Sequence, residues 1–389
     1  MHILLAALFF FAILTLWVTA LWPVTVFEVG VFTLAAVAVL RARSDPPPFS
    51  WPLVPLSFAV LWGLLQLLTG HTVYAFDTET ATVKWTALLA VFFLGLSLFR
   101  SASVARWFRS AMLWFGFLVS VMATLQTFTS RHSIFWIFST EYTDNMGPIL
   151  YHNHYAAFIE VVLPIALYEA LKREGTSLLY SGMVSAMYAS VIVSASRAGS
   201  ILTTAEIIVV PLLLWRRRRA DGAVVRSLLL RMAVLIAVFT AIVGPETVWN
   251  RFWESDPYAG RRELAIASMH MVAANPWLGT GLGTWPTAYP RYAITDSGRF
   301  ANQAHSDWLQ WAAEGGIPFA LMLAALFFWS VRPALRSVWG LGVLSVFLHA
   351  TVDYPFSRPA LGSWRHPPPC PSGFRPNETF ERNPRRVLT

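Results

Sequence analysis

Long apolar stretches alternate along the chain with short polar or basic ones. A membrane-spanning helix needs about 20 mostly apolar residues, and eleven stretches approach that length. We therefore predict an all-α polytopic membrane protein with about 11 transmembrane helices. Residues 1–3 carry no Lys or Arg, so we interpret the first stretch as a span and not as a cleaved signal peptide. The predicted spans are 4–22, 24–40, 51–68, 85–99, 110–128, 156–171, 178–195, 200–215, 227–243, 318–331 and 338–353.

The composition agrees with a membrane protein and argues against other classes. Of the 389 residues, 56% are hydrophobic and only 13% are charged, whereas soluble domains carry about 25% charged residues. This apolar content also argues against disorder. The single cysteine, Cys370, excludes a disulfide framework and a cysteine-based zinc site.

The net charge of +8 arises from arginines that lie between apolar stretches. With the N-terminus in the cytoplasm, the short inside loops are rich in arginine, as the positive-inside rule expects. The run 216–219 is the strongest anchor of this kind, and its alternative role is to bind anionic lipid. We therefore attribute the basic charge to orientation in the lipid bilayer and expect no nucleic-acid partner.

The predicted topology divides the chain into three parts. Residues 1–355 form a transmembrane helical domain, and 244–317 form a folded periplasmic loop within it, because that segment combines polar residues with aromatic ones and helical periodicity. Residues 356–389 are rich in proline and are predicted to be disordered.

Two arginine segments on the outer side are candidates for binding an anion. Arg197 lies in a tight turn among small residues, where its guanidinium can hold a phosphate or simply extend to the membrane surface. Arg261 and Arg262 open a predicted helix that ends near Ala274, although cations at a helix start oppose the helix dipole. An anionic ligand explains that placement, and an ion pair with nearby acidic residues is the alternative.

His305 is the candidate general base. We predict Asn302 as a helix N-cap, which puts His305 in the first helical turn and favours its neutral form. A neutral imidazole accepts a proton from a hydroxyl near neutral pH. Asp307 is a supporting candidate that orients the ring, although residues two apart on a helix do not face each other. The alternative is an ordinary surface histidine.

Other polar features give weaker indications. Glu160 and His349 lie inside predicted spans, so they are candidates for function or for structural pairing. His152 and His154 lack a third ligand at suitable spacing, and we expect no metal site. The glycine-rich run 279–283 does not clearly follow a strand or open a helix, so we predict a tight turn there and not a nucleotide site.

Six short motifs, in order, resemble the O-antigen ligase and polymerase superfamily. Together they cover about 145–355, whereas the first 140 residues match only in being apolar. The motifs are Tyr151 to Glu160 with Leu163-Pro164, Ser196-Arg197-Ala198-Gly199, Gly260-Arg261, Asn275 to Gly283 with Tyr289-Pro290-Arg291, Ala304 to Pro318, and His349 to Pro355.

The resemblance implies a metal-independent glycosyltransferase of the bacterial inner membrane with its active site on the periplasmic side. Its donor is a glycan on undecaprenyl diphosphate, and its acceptor is lipid A-core, another lipid-linked glycan or a protein hydroxyl. It implies no cofactor. Carried over by motif, Arg197 and Arg261 bind the diphosphate and His305 activates the acceptor hydroxyl. The supporting candidates are Glu160, Arg262, Arg291 and Asp307.

Elementary chemistry agrees with these roles. Cleavage of the sugar–phosphate bond leaves an anionic diphosphate, which fixed cations stabilise. The acceptor hydroxyl needs a base, and attack opposite the leaving group inverts the anomeric centre.

The chain departs from the family near its C-terminus. Family members usually have another late span, whereas this sequence turns proline-rich after 359. We therefore hypothesise a truncated or altered final span near 357–362, which would put the activity in doubt.

Two other function classes stay open at this point. A membrane transporter of a small anionic solute predicts a binding site near the bilayer midplane, where this chain carries few charges. A membrane scaffold without catalysis predicts that the arginines and His305 are dispensable. The sequence does not distinguish ligase, polymerase and protein glycosylation.

Overall fold

A computed structural model shows a bundle of α-helices. It describes residues 1–42, 46–130, 132–142, 145–172, 177–217, 221–243, 259–294, 301–337 and 340–356. Within these ranges the sheet content is a two-residue antiparallel hairpin, β1 (Ser133–Ile134) with β2 (Phe138–Ser139). The all-α prediction is confirmed for the described residues. The tail 357–389, with its predicted disorder and altered final span, lies outside them.

Each of the eleven predicted apolar stretches overlaps a helix. In the N-terminal part the helices are α1 (His2–Leu14), α2 (Trp22–Ala42), α3 (Leu53–Leu68), α4 (Ala75–Leu98) and α5 (Ala102–Thr129). The later helices are α6 (His152–Lys172), α7 (Ser177–Ser194), α8 (Arg197–Arg216), α9 (Gly222–Val243), α10 (Ala259–Ala274), the single turn α11 (Trp285–Ala288) with a 3₁₀ turn (Tyr289–Arg291), α12 (Asp307–Ser337) and α13 (Leu341–His349).

Length limits which of these helices can cross a bilayer alone. Among the described residues, α2, α4, α5, α6, α8 and α12 are long and apolar enough to span. Helix α1 has 13 residues and α13 has 9, which is fewer than the roughly 20 that a single span needs. The bundle is thus that of a multi-pass membrane protein, and the count of eleven spans stays a prediction.

Helix boundaries differ from the apolar stretches where polar residues join a helix. Helix α4 begins at Ala75, before the apolar stretch that starts at 85. Its first turns carry polar residues such as Asp77, Thr80 and Lys84. These residues are compatible with a helix but not with a lipid environment, so hydropathy alone misses them.

Helix α6 lies at the centre of the larger core. It packs against α5, α7, α8 and α13, and most of its residues are buried. Gly342 on α13 approaches the backbone carbonyl of Glu160 so closely that a Cβ atom there would clash. This contact fixes α13 against α6, and the end of α13 then lies near the start of α6.

A kink divides α12 into two parts. Gly316 has φ 76° and ψ 177°, which is outside helical geometry, and the N–H of Ile317 donates to the carbonyl of Pro276 at 2.8 Å. The part after the kink is about 30 Å long at ~1.5 Å per residue, enough to span. Leu321 and Phe328 on this part are 64% and 70% exposed, as expected for a lipid-facing surface.

The predicted loop 244–317 is described only in part. Residues 244–258 and 295–300 lie outside the described residues. The predicted helix from Gly260 to Ala274 is confirmed as α10. The folded periplasmic loop within the transmembrane domain stays a prediction.

Candidate active site at the start of α6

Four segments that are distant in the sequence meet at one end of the bundle. They are the start of α6, the start of α10, the residues before α12 and the turn after α13. Arg261 on α10 joins three of them: its Nη1 atom donates to the carbonyl of Val352 at 3.1 Å, and its Nη2 atom donates to the hydroxyl of Tyr151 at 3.3 Å. Arg261 is therefore anchored at this end by two contacts.

His305 lies before α12 and not within its first turn, so the predicted position was wrong. The helix begins at Asp307, and the side chain of Ser306 accepts from the N–H of Leu309 at 3.4 Å, which makes Ser306 the capping residue in place of Asn302. His305 has φ 53°, a left-handed conformation that is uncommon for residues other than glycine. Such conformations cluster at functional sites.

Asp353 supplies a carboxylate beside His305. Its Oδ1 atom lies 3.7 Å from the Nδ1 atom of His305, and its side chain is 1% exposed. Asp353 stands in the turn after α13. Burial alone would raise the pKa of Asp353, but the imidazoles of His305, His154 and His349 outweigh burial and lower it to about 2. Asp353 is therefore an anion at neutral pH and favours the protonated form of a neighbouring imidazole.

Aromatic rings surround the same point. The ring of Tyr354 lies edge-on to His305 with centroids 5.0 Å apart and stacks on Tyr151 at 5.7 Å. Tyr151 also contacts His154 at 4.9 Å. Burial, followed by the charge of Asp353, raises the pKa of Tyr151 to about 12. The phenol thus stays neutral at working pH and presents its oxygen to Arg261.

Glu160 is paired inside the bundle. Its Oε1 atom lies 2.7 Å from the Nδ1 atom of His349, and neither side chain is exposed. The other ring nitrogen of His349 lies 4.0 Å from Oδ2 of Asp353. Glu160 therefore has a buried partner in His349, and this pair adjoins the carboxylate beside His305.

Arg197 is the first residue of α8. The side chain of Ser196 caps this helix by accepting from the N–H of Gly199 at 3.2 Å. Gly199 lies against Ala156 near the start of α6, too close for a Cβ atom. Arg197 therefore lies at the same end of the bundle as Tyr151. That Arg197 and Arg261 bind one ligand together stays a prediction.

The remaining supporting candidates are two exposed arginines and one buried aspartate. Arg262 and Arg291 are exposed. Asp307 is fully buried, and its Oδ2 atom accepts from the N–H of Phe356 at 2.7 Å. The structure thus gives Asp307 a role in tying the turn after α13 to α12, and it gives the place beside His305 to Asp353.

The glycine-rich run 279–283 forms a tight structural turn, as predicted. The N–H groups of Thr280 and Gly281 donate to the carbonyls of Ala313 and Glu314, each at 3.0 Å. Gly279 has φ 69°, and a Cβ atom there would clash with the backbone of Glu314. This turn packs the segment after α10 onto α12 just before its kink, and so it sets where α10 and Arg261 lie.

Sequence reasoning missed Tyr151 and Asp353. Both lie in segments that carry the family resemblance, at the start of 151–160 and within 349–355. That position was the available signal, but their roles depend on neighbours far away in the chain.

Comparison with known families agrees with this resemblance. Residues 182–324 match the family model described as O-antigen ligase. This match supports membership of the O-antigen ligase/polymerase superfamily. The O-antigen ligase match includes Arg197, Arg261 and His305, while Tyr151, Glu160 and Asp353 lie outside it. No curated protein matches the chain. The resemblance drawn from the motifs is thereby confirmed over residues 182–324.

Proposed function

We propose that this protein transfers a glycan from undecaprenyl diphosphate to an acceptor hydroxyl on the periplasmic face of the bacterial inner membrane. The acceptor is lipid A-core, another lipid-linked glycan or a protein. The observation that supports this most is the meeting of Arg261 and His305 around Tyr151 and Asp353. An anion-binding cation and a base thus share one site.

Arg261 has the capacity to hold the diphosphate of the donor. A guanidinium carries five N–H donors, and the contacts to Val352 and Tyr151 use two of its nitrogens, Nη1 and Nη2. Among the described residues no carboxylate forms an ion pair with Arg261, which agrees with a role in binding an anion. Glu254 and Asp256, two partners of the alternative ion pair, lie outside those residues. Arg197 is the second cation in this proposal. Arg262 and Arg291 are exposed and serve as supporting contacts to the donor.

His305 accepts the proton in the transfer step. The acceptor oxygen attacks the anomeric carbon and forms the new glycosidic bond while its proton passes to His305. The bond between the anomeric carbon and the phosphate oxygen breaks, and undecaprenyl diphosphate leaves with the electron pair. Arg261 and Arg197 stabilise that leaving anion, and Asp353 stabilises the imidazolium of His305. Attack opposite the leaving group inverts the anomeric centre, without a metal or another cofactor.

The ends of the helices support the periplasmic orientation. Arg197 begins α8, and Arg217 follows its other end, where its Nη1 atom donates to the carbonyl of Arg336 at the end of α12. The candidate site and the basic loop after α8 therefore lie at opposite ends of the bundle. Since basic loops stay in the cytoplasm, the site belongs on the periplasmic side.

The transporter alternative receives less support from the described residues. It would use Glu160 as an ionisable ligand inside the membrane. Glu160 is fully buried and bonded to His349, so it is closed to a solute in this arrangement.

Complementation of a ligase-null strain tests the proposal. We expect Arg197→Ala, Arg261→Ala and His305→Ala to abolish glycan transfer while membrane insertion and protein level stay as in the parent chain. Arg226→Ala is the matched control, because Arg226 is exposed on α9 in the part of the chain that the structure describes. Normal transfer by His305→Ala would overturn the proposed base.

A further inference from the structure

A row of buried polar side chains leads from the interior of the bundle to His305. Glu160 on α6 contacts His349 on α13 at 2.7 Å, and His349 faces Asp353 at 4.0 Å. Asp353 in turn faces His305 at 3.7 Å. The first three side chains are at most 1% exposed, whereas His305 is 27% exposed. The row therefore ends at the one member that a substrate can reach.

The two ring nitrogens of His349 face two different carboxyl groups. The Nδ1 atom of His349 shares a hydrogen bond with Oε1 of Glu160. When Glu160 is ionised, Nδ1 is the donor, because an ionised carboxylate only accepts hydrogen bonds. If Nε2 also carries a proton, it attracts Oδ2 of Asp353, whereas a lone pair on Nε2 would repel it. Buried charged groups are stable only when they are paired. The ring held between both carboxylates thus turns one oxygen of Asp353 inward and leaves the other facing His305.

Other ionisable groups surround this row from each neighbouring element. Glu206 on α8 accepts from Ser345 on α13, next to Glu160. His154 and Arg261 act electrostatically on Asp353 and His349 respectively. Tyr151 lies between Asp353 and Arg261. Of Glu160 and Glu206, Glu160 contacts His349 directly, whereas Glu206 contacts Ser345.

We propose that Glu160 and His349 are positioning residues for His305. Glu160 fixes the ring of His349, His349 holds Asp353, and Asp353 holds the imidazolium that His305 becomes when it accepts a proton. The consequence for glycan transfer rests on the proposed function, but the coupling of His349 to His305 does not.

Chemical labelling of His305 tests the coupling without an activity assay. Diethyl pyrocarbonate modifies the neutral imidazole, and mass spectrometry of the peptide that contains His305 gives the extent of labelling at each pH. The measurement uses the full chain in lipid nanodiscs. We expect Asp353→Asn to move the midpoint of His305 labelling to lower pH, because the imidazolium loses its counter-ion.

The positioning residues are expected to act through Asp353. His349→Gln and Glu160→Gln move the midpoint in the same direction as Asp353→Asn and by a smaller amount. Adding His349→Gln to Asp353→Asn gives no further shift, because residues that act in series are not additive. Glu160→Gln keeps the shape of the side chain, so it carries the test if His349→Gln fails to fold.

Glu206→Gln is the matched control. It removes a second carboxyl group, 4% exposed, from the same bundle, and the midpoint is expected to stay unchanged. The proposal is overturned if neither Glu160→Gln nor His349→Gln moves the midpoint while Asp353→Asn does. It is also overturned if Glu206→Gln moves the midpoint as far as Glu160→Gln.

Kinetics of glycan transfer give a second readout. We expect Glu160→Gln to lower kcat about tenfold while the KM for the lipid-linked donor changes by less than about twofold, since orientation of a base affects the chemical step. If His305→Ala transfers glycan normally, the proposed function fails, and the labelling experiment still decides the positioning claim by itself.

Discussion

Arg261 and Tyr151, 110 residues apart in the chain, are joined by a hydrogen bond of 3.3 Å. This contact attaches the start of α10 to the start of α6. It also fixes the guanidinium within the group of residues that includes His305 and Asp353. The candidate site therefore depends on how the segment after α9 packs onto the helical bundle.

Arg261 is expected to be far more important than its neighbour. Arg261→Ala is expected to lower kcat/KM for the donor by about 100-fold or more, because loss of a fixed cation at a developing anion costs about 3 kcal/mol. Arg261→Lys is expected to recover only part of the activity, since lysine lacks the planar fork that binds phosphate. Arg262→Ala, which changes an exposed residue, is expected to lose less than tenfold. Steady-state transfer assays measure these values, and equal losses at both positions would contradict the assignment.

Tyr151→Phe is expected to lower transfer without changing its pH dependence. Loss of the hydrogen bond to Arg261 is worth about 1 kcal/mol, or roughly fivefold in rate.

The pKa of Tyr151 is raised to about 12 and that of Asp353 is lowered to about 2. The lowered pKa means that Asp353 stabilises the fold above its ordinary pKa, near 4, and that this contribution is lost as the pH falls toward 2.

Neither group therefore titrates between about pH 5 and pH 9. Rates measured across that range for the parent chain and Tyr151→Phe should have the same shape. If the rise or fall of the rate on one side of the pH profile were lost in Tyr151→Phe, this account would be contradicted.

Substitution of the two aspartates near His305 is expected to have different effects: loss of transfer at Asp353 and loss of stability at Asp307. Asp353→Asn is expected to lower transfer by at least tenfold while the protein stays folded, because the imidazolium loses its counter-ion. Asp307→Asn is expected to destabilise the fold by about 1–3 kcal/mol, because it weakens the buried hydrogen bond to Phe356. Thermal unfolding in detergent and transfer assays separate the two effects. An Asp307→Asn variant with normal stability and no transfer would reverse the roles.

The turn after α10 is expected to tolerate no side chain at Gly279. Gly279→Ala places a Cβ atom against the backbone of Glu314 at a left-handed φ of 69°, so we expect a loss of roughly 3 kcal/mol or more in stability. Gly70→Ala is the matched control, because Gly70 has a similar φ of 67° but open space around it. There only the backbone cost of about 1 kcal/mol applies. Equal melting temperatures for the two variants would show that the contact with α12 is unimportant.

The apolar pattern predicts where the helices lie, but it does not predict how they bend. The sequence predicts a helix start at Asn302 and an apolar span from 318 onward, whereas the structure has one element that begins at Asp307 and kinks at Gly316. The kink depends on the hydrogen bond from Ile317 to Pro276, which lies in another segment. Local periodicity contains no information about that partner.

The chemistry of the site shows the same limit. Residue type and helix position are local signals, so Arg261 and His305 could be chosen as candidates from the sequence. The nearest carboxylate along the chain, Asp307, was the natural partner for His305, but folding brings Asp353 there instead. Burial of Glu160 against His349 likewise follows from the packing of α13 on α6.

The most direct test of the central claim separates donor binding from glycan transfer. The full chain is reconstituted in proteoliposomes, and both are measured with a lipid-linked glycan on undecaprenyl diphosphate. We predict that His305→Ala binds the donor within about twofold of the parent chain but transfers at least ~100-fold more slowly, whereas Arg261→Ala loses both, because the base acts on the acceptor and the arginine on the donor. Normal transfer by His305→Ala, or unchanged donor binding by Arg261→Ala, would contradict the account.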